Sequence, residues 1–559
     1  MDKLFMWIYS RHSYSCVGNI FAAQITAFSE IRLLTNSDSS SVTGESCRKL
    51  FSTSGSRFCQ QALAGLFGIF LMVMLTPGVV IAANGLTSNT SQLMAKLSAV
   101  AVDADSRRRD RVSAAVDRLG DLGYSIIRGE KTWLTSVTPA CNNAQAMNKD
   151  LVYYVNNPNT LYGHASLPIG PLNLKTSVYP FQGDDVLIVY GYTPPPITYY
   201  SFTMNQKRLY DQENQVFADT NSSIGLSINQ DNLKTQNGAP FEDFFALIVT
   251  ANYAAADMAT NFLTTVGVPV QAINYMHFPQ RFTSWNTAFP DDLNFLTRLT
   301  FRTQAEADIV CGFARQTSPA MGVLYFKGPG GPGEVDDADL LSWVDTLRVD
   351  SSEWDAAMDL KLDELVDSVR QDYEAQGYTL QSTGRELLRH VNPENKCRLP
   401  KRACNFDAPD ALYGQFLCDD GVNPPQICAE PLPNLKELIV IVGVNHHRFG
   451  SGKMSAYTSF AVTRKTDLQG IASIVDVETL GSAAEFVEGT LLDPDDFFVV
   501  RVTRDCAGQA SCMEVPWLAI PPNGPILITT RNYLDRETAA GPNPDNFIPA
   551  RLLRFSFTQ

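Results

Sequence analysis

The stretch from Glu437 to Val462, "ELIVIVGVNHHRFGSGKMSAYTSFAV", carries the clearest fold signal in the chain. It begins with a run of valine and isoleucine typical of a buried strand, passes through a polar connection that contains glycine, and returns as a second strand. Segments of the same kind follow at 496–504, 524–534 and 550–557. Their hairpin-length spacing predicts an antiparallel β-sandwich-like domain over residues 434–559.

The middle of the chain, residues 151–327, is predicted to be a mixed β-rich domain with a few helices. "ALIVTAN" (246–252) is a fully apolar strand, the alanine-rich stretch 253–265 suits a helix, and "VQAINYMHF" (270–278) returns as a strand. Together they predict a βαβ unit. "YGYTPPPITYYSF" (190–202) predicts two strands joined by a proline turn, because proline cannot donate to a strand ladder.

With 559 residues, the chain is too long for one ordinary core, and its composition divides it into segments. The whole is predicted to be an α+β, β-rich protein, and no repeat of fixed period emerges. The segments are a presequence at 1–61, an apolar export segment at 62–83, a helical segment at 84–150, the mixed domain at 151–327, a Gly/Pro loop with an acidic helix and a cysteine-bearing loop at 328–433, and the sandwich-like domain at 434–559.

The charge balance excludes one class of partner. The formal net charge is −15, and charged residues make up 18% of a chain that is 45% hydrophobic, which is typical of a globular protein. An acidic body of this size repels phosphate backbones, and no nucleic-acid-binding motif opposes that repulsion. Nucleic acid is therefore not expected as a partner.

Residues 62–83, "ALAGLFGIFLMVMLTPGVVIAA", are 22 residues without a charge, long enough to span a bilayer. The helix breaker at Pro77 and the small final residues also fit a cleaved signal sequence. The serine-rich residues 1–61 fit either an organelle transit peptide or the cytoplasmic tail of a signal anchor. Both interpretations place the rest of the chain beyond a membrane, in the extracellular space, the secretory pathway or an organelle lumen. Where 62–83 is retained, it anchors the protein to that membrane.

The cysteines favour the same location. Of eleven cysteines, eight follow the apolar segment, an even number that fits structural disulfides. Free buried thiols in a reducing compartment are the alternative. The most economical pairing joins Cys397 to Cys404, Cys418 to Cys428, Cys506 to Cys512, and Cys141 to Cys311 at long range.

Complete catalytic motifs are absent from the sequence. It has no G-x-S-x-G elbow and no H-E-x-x-H pair, and "HRFGSGKM" (447–454) fails the P-loop pattern at both ends. The histidines His446, His447, His277 and His164 are therefore the candidates for catalysis, because a neutral imidazole suits proton transfer or metal binding. Neighbouring strand residues point to opposite faces, so His446 and His447 can share a metal only where the chain bends. A structural histidine pair in a hairpin is the alternative.

The resulting hypothesis is an exported or membrane-anchored enzyme that uses histidine-centred acid–base or metal-assisted chemistry on a small molecule or polymer. A non-catalytic β-sandwich protein for binding or adhesion is the alternative. The sequence assigns neither a cofactor nor a particular metal.

Cleavage of the apolar segment is testable at the native N-terminus. We expect the mature protein to begin near Ala83, because residues 80–82 approximate a small-x-small cleavage site. Mass spectrometry of the intact protein and its N-terminal peptide measures this start. An N-terminus that still includes residues 62–83 would identify a signal anchor instead.

Overall fold

Two β-sheets and four helices make up the part of the chain that the computed structural model describes. The described residues are 111–133, 141, 157, 159–169, 174–211, 216–283, 292–316, 320–335, 356–390, 408–418, 426–428, 432, 434–435, 437–447, 455–466, 470–488, 490, 492–535, 539 and 541–557. They belong to the compact unit Leu86–Gln559, and the apolar segment predicted at 62–83 lies outside them. Within these ranges no helix is long and apolar enough to cross a bilayer.

The elements follow in chain order. The helices are α1 (Arg111–Asp121), α2 (Tyr253–Val266), α3 (Gln304–Ala314) and α4 (Ala356–Ala375). The strands of the first sheet are β1 (Ser125–Trp133), β2 (Thr160–Ile169), β3 (Leu174–Thr176), β4 (Tyr179–Pro180), β5 (Val186–Tyr192), β6 (Tyr199–Asp211), β7 (Val216–Asn229), β8 (Phe244–Thr250), β9 (Ile273–His277), β10 (Asp292–Thr300) and β11 (Met321–Lys327). The strands of the second sheet are β12 (Tyr378–His390), β13 (Ala411–Cys418), β14 (Gln426–Ile427), β15 (Glu437–Val444), β16 (Tyr457–Arg464), β17 (Gly470–Val475), β18 (Phe497–Thr503), β19 (Cys512–Glu514), β20 (Ile526–Tyr533) and β21 (Arg551–Phe557).

The two sheets have the same strand order. The first runs β7-β6-β10-β2-β1-β11-β5-β8-β9, and the second runs β17-β16-β20-β13-β12-β21-β15-β18-β19. When the nine strands of each path are ranked by their position along the chain, strands of equal rank occupy the same place in both paths. The last pair of each path, β8 with β9 and β18 with β19, is parallel, whereas the other neighbours along both paths are antiparallel. Because corresponding strands take the same places in both paths, the fold of the described part of the chain is internally duplicated.

Short sequence motifs recur at the corresponding positions. Register places the second copy of each motif on the strand that corresponds to the first. The spacing between copies differs from motif to motif because the two halves carry connections of different length, so the sequence shows no fixed period. The pairs are "PNTLYG" (158–163) with "PDALYG" (409–414), "YYSF" (199–202) with "YTSF" (457–460), and Thr297-Arg298 with Thr530-Arg531.

Each sheet curls so that distant strands share one core. In the first sheet, Phe202 of β6 and Phe295 of β10 belong to the same buried cluster as Val189 of β5, Leu247 of β8 and Val323 of β11. Helices α1 and α2 pack on the outer apolar face of β5, β8 and β11. Helix α4 covers the corresponding face of the second sheet. The remaining outer face of each sheet, formed around β2, β6 and β10 or around β13, β16 and β20, is polar.

Several predictions from sequence are confirmed. The protein is β-rich and of the α+β class, β8, α2 and β9 form the predicted parallel unit, and α4 occupies the acidic helix. The strands on either side of the triple proline, β5 and β6, do not pair with each other, because each joins a different part of the curled sheet. The C-terminal strands form one continuous sheet that includes a parallel pair, so the arrangement of two facing antiparallel sheets stays a prediction.

The strand pairing favours a different division into domains from the one predicted by composition. Strand β1 lies in the segment 84–150 and β12 to β14 lie in 328–433, yet all of them pair within the two sheets. Glycine, serine and arginine interrupt the apolar alternation of β12, which is why its sequence does not resemble a strand. We propose a first domain at 111–335 and a second at 356–557.

One pair of equivalent core positions holds ionisable side chains of opposite sign. Lys131 of β1 is buried and donates to Thr297 Oγ1 at 2.5 Å and to the Gly163 carbonyl at 3.2 Å. Glu386 of β12 is buried at the corresponding place and accepts from the hydroxyl of Thr530. Burial lowers the pKa of Lys131 well below its usual range and raises the pKa of Glu386.

Replacing Lys131 by methionine should change how stability depends on pH. Between the lowered folded-state pKa of Lys131 and about pH 10.4, the unfolded chain carries a proton that the folded chain lacks, so stability rises with pH in that window. From about pH 8 to about pH 10 the wild type should gain up to about 1.4 kcal/mol per pH unit relative to Lys131→Met. Urea unfolding at each pH measures the difference.

The matched control is Lys175→Met. Lys175 is exposed in the same domain and forms an ion pair with Glu130. This variant should keep the pH slope of the wild type. Equal slopes for wild type and Lys131→Met would show that Lys131 is charged in the folded state.

Candidate functional site

The polar outer faces of the two sheets meet each other. At one end of this interface, the rings of Tyr199 and Tyr533 lie 4.9 Å apart, and Tyr457 lies 5.6 Å from Tyr533. All three belong to a buried cluster that draws residues from both domains. The interface therefore has a tightly packed aromatic end. The polar side chains of β2, β6 and β10 of the first domain continue along the same face beside it.

A buried carboxylate fastens the aromatic end. Asp410, just before β13, accepts hydrogen bonds from the hydroxyl of Tyr199, from Ser227 Oγ at 3.2 Å and from Asn229 Nδ2 at 3.4 Å, all in the first domain. Burial raises the pKa of Asp410, and the hydrogen bond from Tyr199 and the charge of Arg298 oppose that rise. Asp410 is thus a docking residue that holds the two domains together.

A row of tyrosine, arginine and serine crosses each face beside the aromatic end. In the first domain, Arg298 of β10 lies opposite Tyr162 of β2 and Ser201 of β6. In the second domain, Arg531 of β20 lies opposite Tyr413 of β13 and Ser459 of β16. The two rows have the same composition at corresponding positions. Both arginines are buried, with exposed fractions of 1% and 3%.

The same backbone contact fixes both tyrosines of the rows. The Tyr162 hydroxyl accepts from the backbone N–H of Asn157 at 3.2 Å, and the Tyr413 hydroxyl accepts from that of Ala408 at 2.9 Å. In each case the donor lies five residues before the tyrosine, in the segment that leads into the strand. The recurrent P-x-x-L-Y-G sequence therefore builds the same turn and presents the same ring twice.

The surroundings of Arg298 suit an oxyanion. Its guanidinium donates to Thr203 Oγ1 at 2.7 Å. Burial lowers the pKa of Arg298, but Coulomb interaction with the ionised forms of Tyr413, Tyr533, Tyr162 and Tyr199 raises that pKa above its usual value. On the same faces, the buried Asn205 Oδ1 and Thr529 Oγ1 have no hydrogen-bond partner. Buried polar atoms are normally satisfied, so these two oxygens are acceptors for a water or a ligand donor.

His164 is the one predicted histidine on this polar face. It follows Tyr162 by two residues on β2, so both side chains point to the same side. Its Nδ1 lies 3.1 Å from Asn294 Nδ2, which also donates to the Ser177 carbonyl. Burial is the main cause that lowers the pKa of His164 to about 4. The ring is therefore neutral at pH 7 and able to accept a proton.

His446 and His447 occupy the turn after β15, away from the rows. The His446 ring is buried, stacks on Phe547 at 3.9 Å and places Nε2 3.2 Å from the Ile548 carbonyl. Burial lowers its pKa to about 4. His447 is half-buried beside it. The contacts of His446 attach the turn to the segment before β21, so a catalytic role for this pair stays a prediction.

His277 lies at the end of β9 in the first domain. Its ring is parallel to that of Tyr275 at 5.9 Å and meets the edge of Tyr253 at 4.9 Å. Burial lowers its pKa, and the Thr250 carbonyl and the charge of Asp257 oppose that shift. The described contacts do not join His277 to His164 or to His446, so the structure does not gather the predicted histidines into one site.

Metal ligation and disulfides have separate outcomes. Among the residues described, no three histidine, cysteine or carboxylate side chains are grouped so as to hold a metal ion.

Three predicted disulfides are confirmed, and the predicted Cys397–Cys404 pair lies outside the described residues. Disulfides of this kind are typical of an oxidising, extracellular or luminal compartment. The confirmed bonds are Cys141–Cys311, Cys418–Cys428 and Cys506–Cys512.

Sequence reasoning missed Arg298 and the matching of the two rows. Arg531, like Arg501 and Arg504, lies in or beside a C-terminal strand, where the sequence allows it to clamp a carboxylate or sulfate or to pair with acidic residues. Arg298 and Arg531 lie within strands whose neighbours are apolar or hydroxylated, where an arginine is ordinarily an exposed residue that pairs with surface acids. The recurrence of P-x-x-L-Y-G, Y-x-S-F and T-R in the two halves is the signal that could have found them. It becomes visible only when motifs are compared without requiring a constant period.

Comparison with known proteins leaves the family open. No protein-family model matches the chain. No curated protein matches it either. Among solved structures, an uncharacterised protein from Burkholderia cenocepacia is 12% identical with a TM-score of 0.35, over 83% of this chain and 95% of that one. The VPA0106 protein from Vibrio parahaemolyticus is 12% identical with a TM-score of 0.33, over 80% and 100%. The peptide N-glycanase F is 7% identical with a TM-score of 0.15, over 78% and 96%. Similarities this distant assign neither fold nor activity.

Replacing Asp410 by asparagine should weaken the docking of the two domains. The amide keeps the shape of the side chain but places a donor where Tyr199 and its neighbours also donate, which should cost about 1–3 kcal/mol of unfolding free energy. Urea unfolding followed by tyrosine and tryptophan fluorescence measures the loss. Asp367→Asn, on the exposed side of α4, is the control and should leave stability within about 0.5 kcal/mol. An unchanged midpoint for Asp410→Asn would contradict the docking role.

Proposed function

We propose that this protein acts beyond a membrane and binds a small molecule that carries a carboxylate or another oxyanion at the interface between its two domains. Arg298 and Arg531 are the proposed binding residues. Tyr162 and Tyr413, which are half-buried, are proposed to flank the bound molecule beside these arginines. The observation that carries the proposal is the matching Tyr–Arg–Ser row on each of the two facing sheets.

Charge and hydrogen bonding support an oxyanion as the ligand. A guanidinium presents planar donors that match a carboxylate or phosphate, and a buried site strengthens that interaction. Arg298 also acts in docking, because its charge opposes the rise in the pKa of Asp410. Tyr162 and Tyr413 are half-buried, so each row has one member that solvent reaches.

The location proposed from sequence is part of the same hypothesis. The three confirmed disulfides support an oxidising compartment, and the apolar segment at 62–83 is proposed to deliver the chain there. The retained-anchor form and the cleaved form both leave the interface in that compartment. The native N-terminus distinguishes them.

Catalysis at the same face is a second candidate, favoured by the position of His164. The neutral ring lies on the polar face with Arg298 and is held by Asn294, and it becomes an effective general base where a bound anion raises its low pKa. The predicted enzyme would then bind its substrate through the arginines and remove a proton with His164. Each compound that binds is incubated with the protein, and mass spectrometry measures its conversion to a product. Turnover that survives in His164→Gln would exclude His164 as the base.

The binding proposal is tested with defined anions. Succinate, citrate and inorganic phosphate are titrated into the mature protein by calorimetry. At least one should bind, and Arg298→Lys and Arg531→Lys should each weaken its binding by about tenfold or more, because lysine keeps the charge but loses the planar pair of donors. Circular dichroism confirms that each variant is folded.

Arg501→Lys is the matched control. Arg501 is also a strand arginine of the second domain, but it contacts Tyr373 and Glu485, away from the rows. This variant should bind like the wild type. Failure of all three anions to bind the folded wild type, or binding that survives unchanged in both row variants, would overturn the proposal.

A further inference from the structure

A groove of about 630 Å³ opens on the first domain at β9, the last strand of its sheet. Its lining mixes an aromatic ring, an amide, an amine and a hydroxyl, supplied by Tyr275, Gln271, Lys234 and Thr235. No carboxylate is among its described lining residues. The groove is separate from the Tyr–Arg–Ser rows, which lie on β2, β6 and β10.

The ring of Tyr275 is exposed but fixed. It is 41% exposed, and its other side stacks on the parallel ring of His277. The Tyr275 hydroxyl lies 2.9 Å from Thr260 Oγ1 on α2, within hydrogen-bond distance. Tyr253, also 41% exposed, packs its edge against His277. An aromatic face held from behind in this way presents a flat apolar surface to solvent at little cost in side-chain entropy.

The polar wall of the groove is equally fixed. Asn274, buried on β9, accepts from the Lys234 backbone N–H at 2.7 Å and donates to the Lys234 carbonyl at 2.7 Å. Thr235 Oγ1 donates to the Ala239 carbonyl at 2.8 Å. The backbone beside the groove is thereby locked to the edge strand. The side chains of Lys234 and Gln271 remain exposed and able to donate hydrogen bonds.

The second domain differs from the first at the position of Tyr275. Register places Cys512 of β19 where Tyr275 stands on β9. Cys512 is bonded to Cys506 within a short connection, whereas the first domain has the whole of α2 between β8 and β9. The helix and the exposed tyrosine are therefore additions to one copy of the fold, and a structural role common to both copies does not explain them.

We propose that the β9 groove is a saccharide-binding subsite, in which a pyranose ring stacks on Tyr275 while its hydroxyls bond to Gln271 and Lys234. The C–H bonds on the face of a sugar ring carry partial positive charge and pack against the negative face of an aromatic ring. The amide and the amine beside that ring then satisfy hydroxyl groups at its edge. A neutral sugar and an acidic sugar share this stacking, and Lys234 adds a charge contact only for the acidic one.

The test uses the mature protein on an array of immobilised neutral and uronate oligosaccharides, followed by calorimetry with the best member of each class. Tyr275→Ala should weaken binding by about tenfold or more, and Tyr275→Phe, which keeps the ring, should stay within about threefold of the wild type. A further loss in Lys234→Ala that is confined to uronate ligands identifies an acidic sugar, and an equal loss for both classes identifies a neutral one.

Two variants of the second domain serve as controls. Leu518→Ala removes an apolar side chain that is 85% exposed, and Lys465→Ala removes an exposed cation. Both should bind like the wild type. Tyr275→Ala also removes the contacts with His277 and Thr260, so urea unfolding verifies that each variant is folded under the conditions of the binding assay. Absence of binding to every oligosaccharide, or equal binding by wild type and a folded Tyr275→Ala variant, would overturn the proposal.

Discussion

A polar sheet face can be buried only against groups that satisfy it, and this constraint decides how the two domains meet. Each domain covers its apolar outer face with helices, which leaves one polar face. Asp410 shows how the remaining faces are matched, since it enters the first domain and finds three donors in Tyr199, Ser227 and Asn229. The hydrogen bonds of Asp410, the packed tyrosine rings and an ion pair between Arg302 and Asp476 at 2.6 Å together hold the interface, and both arginine rows depend on this alignment.

The sequence predicts local features well and long-range features poorly. The apolar run of β15, the spacing in α4 and the parallel unit of β8, α2 and β9 follow from residue periodicity, which is a local property. The histidines were candidates because they are few, but rarity does not locate a side chain. The ring of His446 is buried by Phe547, about a hundred residues away. Arg298 and Arg531 become a site only through the pairing of strands and of domains, which no local pattern contains.

The exchange of Lys131 for Glu386 shows how the duplicated framework tolerates change. Both side chains enter their cores at corresponding positions and reach a threonine that precedes the arginine of the row, Thr297 or Thr530. A hydroxyl can accept from an amine and can donate to a carboxylate. The same threonine therefore satisfies either partner, and the position can reverse the charge of its ionised form without disturbing the strand that presents Arg298 or Arg531 on the opposite face.

Comparison of the two halves separates the shared framework from what each half has added. The Tyr–Arg–Ser row occurs in both halves and faces its counterpart, so a ligand there would contact both domains at once. Tyr275 has no counterpart, because Cys512 takes its place and a disulfide closes that connection. The groove beside Tyr275 lies on the first half, so a ligand bound there would contact that half without the interface. The duplication thus leads to two distinct surfaces, one that needs both domains and one that needs only the first.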